Sequence, residues 1–168
     1  FSLALSQTDF DCSHVGEGEV NEVTLTVTDV NGNESTATAI VTVEDNIDPE
    51  ALAADFTLYL DENGAGTITP TDIDAASNDA CGIFSLALSQ TEFNCLHVGE
   101  DNVVTLTATD INGNESTATA TVTVEDTIAP VIVPNDITIY LDASGNAGCE
   151  ACDLGSSSSD ACGATLTA

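Results

Sequence analysis

The side chains with the clearest potential for chemistry are carboxylates and their amides, and they fall in three short segments. They are Asp45, Asp48 and Glu50, then Asp72, Asp74 and Asp79, and finally Asp110, Asn112 and Asn114. Carboxylate and amide oxygens are the hard ligands that Ca²⁺ prefers, and roughly six to eight of them complete its coordination shell. Close packing of these groups without a cation would cause strong repulsion. We therefore treat all nine residues as candidate calcium ligands.

The third segment also has an interpretation that needs no metal. Its sequence, Asp-Ile-Asn-Gly-Asn from Asp110 to Asn114, matches part of an EF-hand loop but lacks the full series of ligands. Asp and Asn side chains also stabilise hairpin turns on their own. The turn is the favoured interpretation of this segment taken alone. For Asp72, Asp74 and Asp79, calcium binding remains one of two interpretations. A solvated loop has no evident reason to place three acids beside a second acidic loop and an acidic linker.

The six cysteines are the other reactive side chains. Their number predicts disulfides and an oxidising compartment. We pair Cys81 with Cys95, which would close a loop of about 15 residues and stabilise the fold by about 3 kcal/mol; two free thiols are the alternative. Cys149 and Cys152 form a lone CxxC, which suits a disulfide, a redox pair or half of a zinc site. A zinc site needs four ligands, and no second CxxC is present. The disulfide is favoured, because an oxidising compartment is expected.

The net charge excludes several classes of partner. The chain contains 29 Asp plus Glu and neither Lys nor Arg, which gives a formal net charge of −29. Phosphate contacts need basic side chains, so we expect no nucleic-acid partner, and an anionic lipid surface would repel the chain. No apolar run is long enough for a membrane span, so membrane insertion is not expected. Without basic groups, a GxSxG motif or an HExxH motif, we also expect no enzyme.

Three positions match short glycosylation patterns. Asn33 and Asn114 each begin an Asn-Glu-Ser acceptor sequence for N-linked glycans. Thr127 lies in Asp-Thr-Ile, which resembles an O-glycosylation pattern of some secreted bacterial proteins. All three patterns are short enough to occur by chance.

An internal repeat organises the acids and cysteines. FSLALSQTDFDCSHVG from Phe1 returns as FSLALSQTEFNCLHVG from Phe84, a spacing of 83 residues. TDVNGNESTATAIVTVED from Thr28 returns as TDINGNESTATATVTVED from Thr109, a spacing of 81 residues. The chain is therefore expected to hold the C-terminal part of one repeat (1–46), a complete repeat (47–127) and the N-terminal part of a third (128–168). We interpret it as a piece of a longer array.

Each repeat has the pattern of an all-β fold. Val104, Leu106 and Ala108 alternate with threonines, and Ala and Val alternate with Thr in the same way over 115–125, which indicates strands with one buried face. Asn112-Gly113 between them predicts a type I′ hairpin turn. Further strands are expected at 56–60, at 66–69 and from Ile83 onward. The sequence predicts tandem immunoglobulin-like antiparallel β-sandwich repeats, with the acidic segments at the junction between neighbours.

The segments DACG, VTLTATDINGN and TVTVED give the chain a resemblance to hyalin repeats and related immunoglobulin-like repeats in the stalks of giant secreted bacterial adhesins. The resemblance implies a secreted, cell-surface protein whose repeats contact neighbouring repeats, with a structural function. A stalk or fibre module stiffened by calcium is the function we expect. The alternatives are a recognition module for surface glycans or proteins, and a filament subunit that joins other copies of the chain by strand complementation.

Overall fold

The structure is a computed structural model that describes residues 1–16, 20–150, 153, 155 and 158–163. Contacts divide the chain into two compact units. Unit 1 comprises Phe1–Leu52, Ala75–Ala87 and Leu106–Ala118. Unit 2 comprises Ala53–Asp74, Leu88–Thr105 and Thr119–Ala168. The unit boundaries fall inside the predicted complete repeat, so each unit combines segments of successive sequence repeats.

A three-stranded antiparallel sheet forms from the first repeat. Its strands are β1 (Ser2–Leu5), β2 (Asn21–Thr28) and β3 (Glu34–Val41), in the order β1-β2-β3. The register sets Leu5 opposite Leu25 and Leu25 opposite Ala37, so that these aliphatic side chains share one face. A short 3₁₀ helix, Cys12–His14, lies between β1 and β2.

The complete repeat supplies six strands in two sheets. They are β4 (Phe56–Tyr59), β5 (Ala65–Thr67), β6 (Ile83–Leu88), β7 (Glu92–Asn94), β8 (Asn102–Asp110) and β9 (Glu115–Glu125). The larger sheet has the order β4-β9-β8-β6, and the smaller one pairs β5 with β7 in antiparallel fashion. A second 3₁₀ helix, Cys95–His97, follows β7, and α1 (Pro70–Ile73) is a single helical turn.

The core follows from the alternation of aliphatic residues and threonine. Along β8, Val104, Leu106 and Ala108 are completely buried, while the threonines between them are only partly covered. Ala120, Val122 and Val124 of β9 are buried in the same way. The other buried apolar residues are Val23, Leu58, Leu60, Ile68, Ile73 and Phe93. A period of two along a strand places every second side chain on one face, so this pattern gives a sheet with one dry face.

The predicted all-β class is confirmed, since the described residues are mostly strands in antiparallel sheets with almost no helix. The predicted strand at 115–125 is observed with those bounds, whereas β7 was not predicted. One pairing is parallel rather than antiparallel: β4 lies beside β9 with Phe56 opposite Val122 and Leu58 opposite Val124. Among the described residues, we find no helix with the length and hydrophobicity of a transmembrane segment.

Candidate functional site

Two disulfides are the most distinctive feature of the described chain. Cys12 bonds to Cys81 and Cys95 bonds to Cys162, with Cα–Cα distances of 5.2 and 5.0 Å. The two bonds are equivalent under the sequence repeat, because Cys95 corresponds to Cys12 and Cys162 corresponds to Cys81. Each bond joins a cysteine of one repeat to the Asp-Ala-Cys-Gly segment of the next. The two disulfides indicate an oxidising environment.

The predicted pairing of Cys81 with Cys95 is therefore wrong. Both residues form disulfides, but each bonds to a cysteine of a neighbouring repeat. Proximity in sequence was misleading, because β6 and β7 separate the two residues. Disulfide formation requires Cα atoms within about 4.4–6.8 Å, and this condition is met across the repeat boundaries.

Local hydrogen bonds fix both halves of each disulfide. Asp79 Oδ1 accepts from the backbone N–H groups of Cys81 and Gly82 at 2.7 and 3.1 Å, which holds the Asp-Ala-Cys-Gly loop in place. The side chain of Asp11 accepts from Ser13 N at 3.0 Å and caps the 3₁₀ helix that begins at Cys12. These short-range contacts preorganise the sulfur atoms.

His14 and His97 also help to hold the disulfide cysteines in place, because each ends the 3₁₀ helix that begins at Cys12 or Cys95. His14 Nδ1 accepts a hydrogen bond from Asp11 N at 3.1 Å, and Phe10 packs edge-on against the imidazole with ring centroids 5.4 Å apart. His97 repeats the arrangement with Asn94 N at 3.0 Å and Phe93 at 5.4 Å. The histidines therefore anchor the 3₁₀ helices that carry Cys12 and Cys95.

A glycine gives the second disulfide its packing space. A Cβ on Gly64 would lie 2.5 Å from Cys95 Sγ and 3.3 Å from Cys162 Sγ. Gly64 also has a φ of +69°, which favours glycine at the turn between β4 and β5. Gly145 occupies the matching position of the third repeat, with a φ of +79°, and a Cβ there would meet nothing within 4 Å.

Two acidic groups lie beside the disulfides. The side chains of Asp45, Asp79 and Cys81 lie within 4.8 Å of one another, and Asp126, Asp160 and Cys162 form the equivalent group. The disulfide sulfurs are unavailable as thiolate ligands, so each group offers two carboxylates. All four aspartates are half-buried. Asp126 and Asp160 were not among the predicted ligands, although the sequence repeat relates them to Asp45 and Asp79.

A buried amide oxygen belongs to the same region of unit 1. Asn112 Oδ1 is shielded from solvent and has no hydrogen-bond partner among the described residues. Asn112 and Asp45 both line an open cavity of about 430 Å³, together with Glu44 and Asn46. These are hard oxygen donors that suit Ca²⁺ better than a soft metal. Water and main-chain oxygens would have to supply the rest of a shell of roughly six to eight ligands.

Asp110 organises the hairpin between β8 and β9. Its Oδ1 accepts from Asn112 N and Asn114 N at 2.8 Å each, and its Oδ2 accepts from Asn114 Nδ2 at 2.8 Å. Burial acts to raise the pKa of Asp110, but these hydrogen bonds outweigh it, and the pKa lies below its usual value. Both carboxylate oxygens are thus engaged in the turn.

The predicted type I′ turn at Asn112-Gly113 is wrong. Asp110 N donates to Asn114 O at 3.0 Å, so three residues form the loop, and only Gly113 has a positive φ, of +92°. A three-residue loop with a left-handed glycine suits β8 and β9, because the aspartate side chain satisfies the loop amides. The same Asp-x-x-Gly-x turn begins at Asp29, Asp61 and Asp142, with equivalent hydrogen bonds.

The other predicted calcium ligands have local roles or lie exposed. Asp72, in unit 2, accepts from Thr69 N and Thr69 Oγ1 at 2.6 and 2.8 Å and so caps α1. Asp74 ends that helix, and its main chain bridges to Ala53. Glu50, in unit 1, bridges to Asn78 and accepts from its side chain at 3.2 Å. Asp48 is exposed.

The remaining predicted sites are placed as follows. Cys149 is exposed and bonds to no described cysteine, and Cys152 lies outside the described residues. Asn33 and Thr127 are exposed. Asn114 is half-buried, and its Nδ2, the atom that a glycan would modify, donates to Asp45 O at 3.1 Å and to Asp110. Attachment of a glycan there would have to break these contacts.

The sequence alone suggested an array stabilised at its junctions, and the disulfides and acidic pairs lie where successive repeats meet. No family model matches the chain, and no curated protein matches it in sequence.

Proposed function

We propose that the chain is a non-catalytic structural module of an extracellular stalk or fibre, built from tandem immunoglobulin-like repeats. The observation that carries this proposal is the pair of equivalent disulfides, Cys12–Cys81 and Cys95–Cys162. A disulfide inside one repeat would stabilise that repeat alone. Here both cysteines of each bond lie in one compact unit, so each bond holds segments of two successive sequence repeats together inside that unit, as a continuous array requires.

Calcium at the same boundaries forms the second part of the proposal. Asp45, Asp79 and Asn112 would supply oxygen ligands in unit 1, and Asp126 and Asp160 would supply the matching carboxylates in unit 2. The cation would neutralise part of a net charge of −29 that no Lys or Arg offsets. It would also draw together residues of the linker and of the following loop.

The rest of the structure is consistent with a mechanical function. The cavities beside β3 and β9 are both open, and carboxylates line each of them: Glu44 and Asp45 in the first, and Glu100, Asp101, Glu125 and Asp126 in the second. Neither encloses a small molecule in an apolar site. The loops of the first and second repeats are nearly identical in sequence, whereas a recognition module needs loops that differ between repeats.

Small-angle scattering of the full chain tests this proposal. We expect an elongated particle whose maximum dimension is fixed in the oxidised, calcium-loaded chain. Reduction or chelation should broaden the distribution of dimensions. A compact particle, or one whose dimensions change with neither reduction nor chelation, would contradict the proposed stalk function.

A further inference from the structure

Each of the two disulfides, which we call the crossing disulfides, has two carboxylates beside one of its sulfur atoms. Carboxylate oxygens of Asp45 and Asp79 and the sulfur of Cys81 lie within 4.8 Å of one another. The repeat-equivalent group in unit 2 flanks Cys162 within the same limit. The arrangement therefore occurs once in each compact unit, and in both units the flanked cysteine belongs to the Asp-Ala-Cys-Gly segment.

The backbone holds all four of these carboxylates in place. Asp45 Oδ1 accepts from Ile47 N at 3.0 Å, and Asp79 Oδ1 accepts from Cys81 N at 2.7 Å. The equivalent carboxylates of unit 2, Asp126 and Asp160, each accept from the main chain two residues further on, at 3.0 and 2.8 Å. A carboxylate bonded to the main chain in this way does not turn freely, so its charge stays beside the sulfur.

The chain places no positive side chain beside these sulfurs to offset the carboxylates. It contains neither Lys nor Arg. The Nδ1 atoms of both histidines, His14 and His97, accept from main-chain N–H groups, and an imidazole nitrogen that accepts carries no proton. All four carboxylates are half-buried, where less water screens their charge than at a fully exposed position. The local field at Cys81 and Cys162 is therefore negative.

This field acts on thiol–disulfide exchange, the reaction by which such bonds open. A thiolate attacks one sulfur, the S–S bond breaks, and the other cysteine leaves as a thiolate that takes a proton from water. A second thiolate then attacks the mixed disulfide, which releases the oxidised small thiol and the second cysteine. Fixed carboxylates beside the sulfur repel additional negative charge on the attacking molecule and attract positive charge.

From this geometry we infer that the crossing disulfides are exchange sites that select thiols by charge. Thiols that carry an ammonium group reduce them readily, whereas thiols that carry carboxylates, such as glutathione, reduce them slowly. Cys81 and Cys162 are half-buried, so a small thiol can reach their sulfurs only beside the carboxylates. This inference goes beyond the stalk function, which needs the two bonds but no preference among reductants.

Reduction of the oxidised chain by three thiols of different charge tests the inference. The probes are mercaptopropionate, mercaptoethanol and cysteamine, which are anionic, neutral and cationic. A chelator and about 10 mM salt keep the carboxylates free of divalent cations and weakly screened. Alkylation at timed intervals and peptide mapping give a rate for each bond. The same thiols acting on the uncharged disulfide of mercaptoethanol correct for their different pKa values. We expect the corrected rate with cysteamine to exceed that with mercaptopropionate by about tenfold or more at both bonds.

Two single substitutions separate the local carboxylates from the net charge of the chain. D45N should raise the rate with mercaptopropionate by about threefold at the disulfide of unit 1 only, and D126N should do so at the disulfide of unit 2 only. D48N is the matched control, because it removes the same charge from an exposed residue outside both acidic groups. Asparagine retains an oxygen that can accept the main-chain hydrogen bond, so the fold should persist, which circular dichroism checks.

Three outcomes would overturn the inference. Corrected rates that are the same for all three thiols would show that the carboxylates have no effect on exchange. Equal effects of D45N and D48N would assign the selectivity to the net charge alone. Rates that do not rise with thiol concentration would show that reduction waits for unfolding. None of these outcomes bears on the scattering test of the stalk, which stays independent.

Discussion

Gly64 lies directly against Cys95, and the ideal Cβ position of Gly64 falls 2.5 Å from Cys95 Sγ. The turn between β4 and β5 therefore packs on the bond that joins the complete repeat to the third one. Any side chain at residue 64 must displace the sulfur or the turn, which makes the glycine of this turn a determinant of disulfide formation.

The first prediction concerns that contact. G64A should slow formation of the Cys95–Cys162 bond and lower stability by more than G145A does. Both variants place alanine at a positive φ, which costs about 1 kcal/mol, but only residue 64 contacts the disulfide. Non-reducing peptide mapping and thermal unfolding measure the two effects. Equal losses in G64A and G145A would mean that the contact with sulfur has no consequence.

The second prediction concerns the disulfides themselves. Each closes a loop of 69 or 67 residues, so C81S or C162S should each reduce the free energy of unfolding by about 4 kcal/mol in the loop-entropy model. C149S is the control, because Cys149 is exposed and bonds to no described cysteine. Denaturant titrations of the oxidised variants provide the measurement. Recovery of a peptide linking Cys81 to Cys95 would refute the connectivity.

The third prediction concerns acid. The pKa of Asp110 is lowered in the folded state, so its carboxylate stabilises the fold above the unfolded-state pKa, and this contribution is lost as the pH falls through the folded-state pKa. The same pH dependence is expected of the turns that begin at Asp29, Asp61 and Asp142, because hydrogen bonds lower the pKa values of these three carboxyl groups as well. Urea unfolding from neutral pH to pH about 3 should show that this part of the stability is lost. D110N should flatten this dependence more than E62Q, which alters an exposed carboxylate.

The fourth prediction concerns calcium. Saturating Ca²⁺ should raise the melting temperature, by an amount equivalent to about 2.7 kcal/mol at one hundred times the dissociation constant. D45N and D79N should weaken the response, while D48N, at an exposed residue outside both acidic groups, should not. Calorimetric titration with Ca²⁺, and with Mg²⁺ as the comparison ion, measures binding. Identical heats for D45N and the native sequence would exclude this site.

The sequence predicted the strands well because their signal is local. Alternating threonine and aliphatic residues define β8 and β9, and burial follows the alternation residue by residue. The same local logic failed at Asn112-Gly113, since the loop type depends on the Asp110 side chain, which bonds to two backbone amides beyond the dipeptide. The parallel pairing of β4 with β9 joins residues far apart in sequence, so no local pattern encodes it.

The disulfides show the same limit for the candidate site. Spacing favoured Cys81 with Cys95, yet the partners lie 69 and 67 residues away in sequence. One signal was present: every cysteine of the two equivalent bonds lies in a repeated motif, and each motif occurs once per repeat.

The crossing disulfides also define the shortest covalent route along the chain. From Cys12 the route passes through sulfur to Cys81, follows the backbone to Cys95, and passes through sulfur again to Cys162. Between the two bonds, the route follows the 15 residues from Cys81 to Cys95, which extend to at most about 50 Å. A repeat of 81 residues without disulfides would unravel to about 280 Å. An oxidised array pulled from both ends would therefore behave as a nearly inextensible tether even after its sheets have melted.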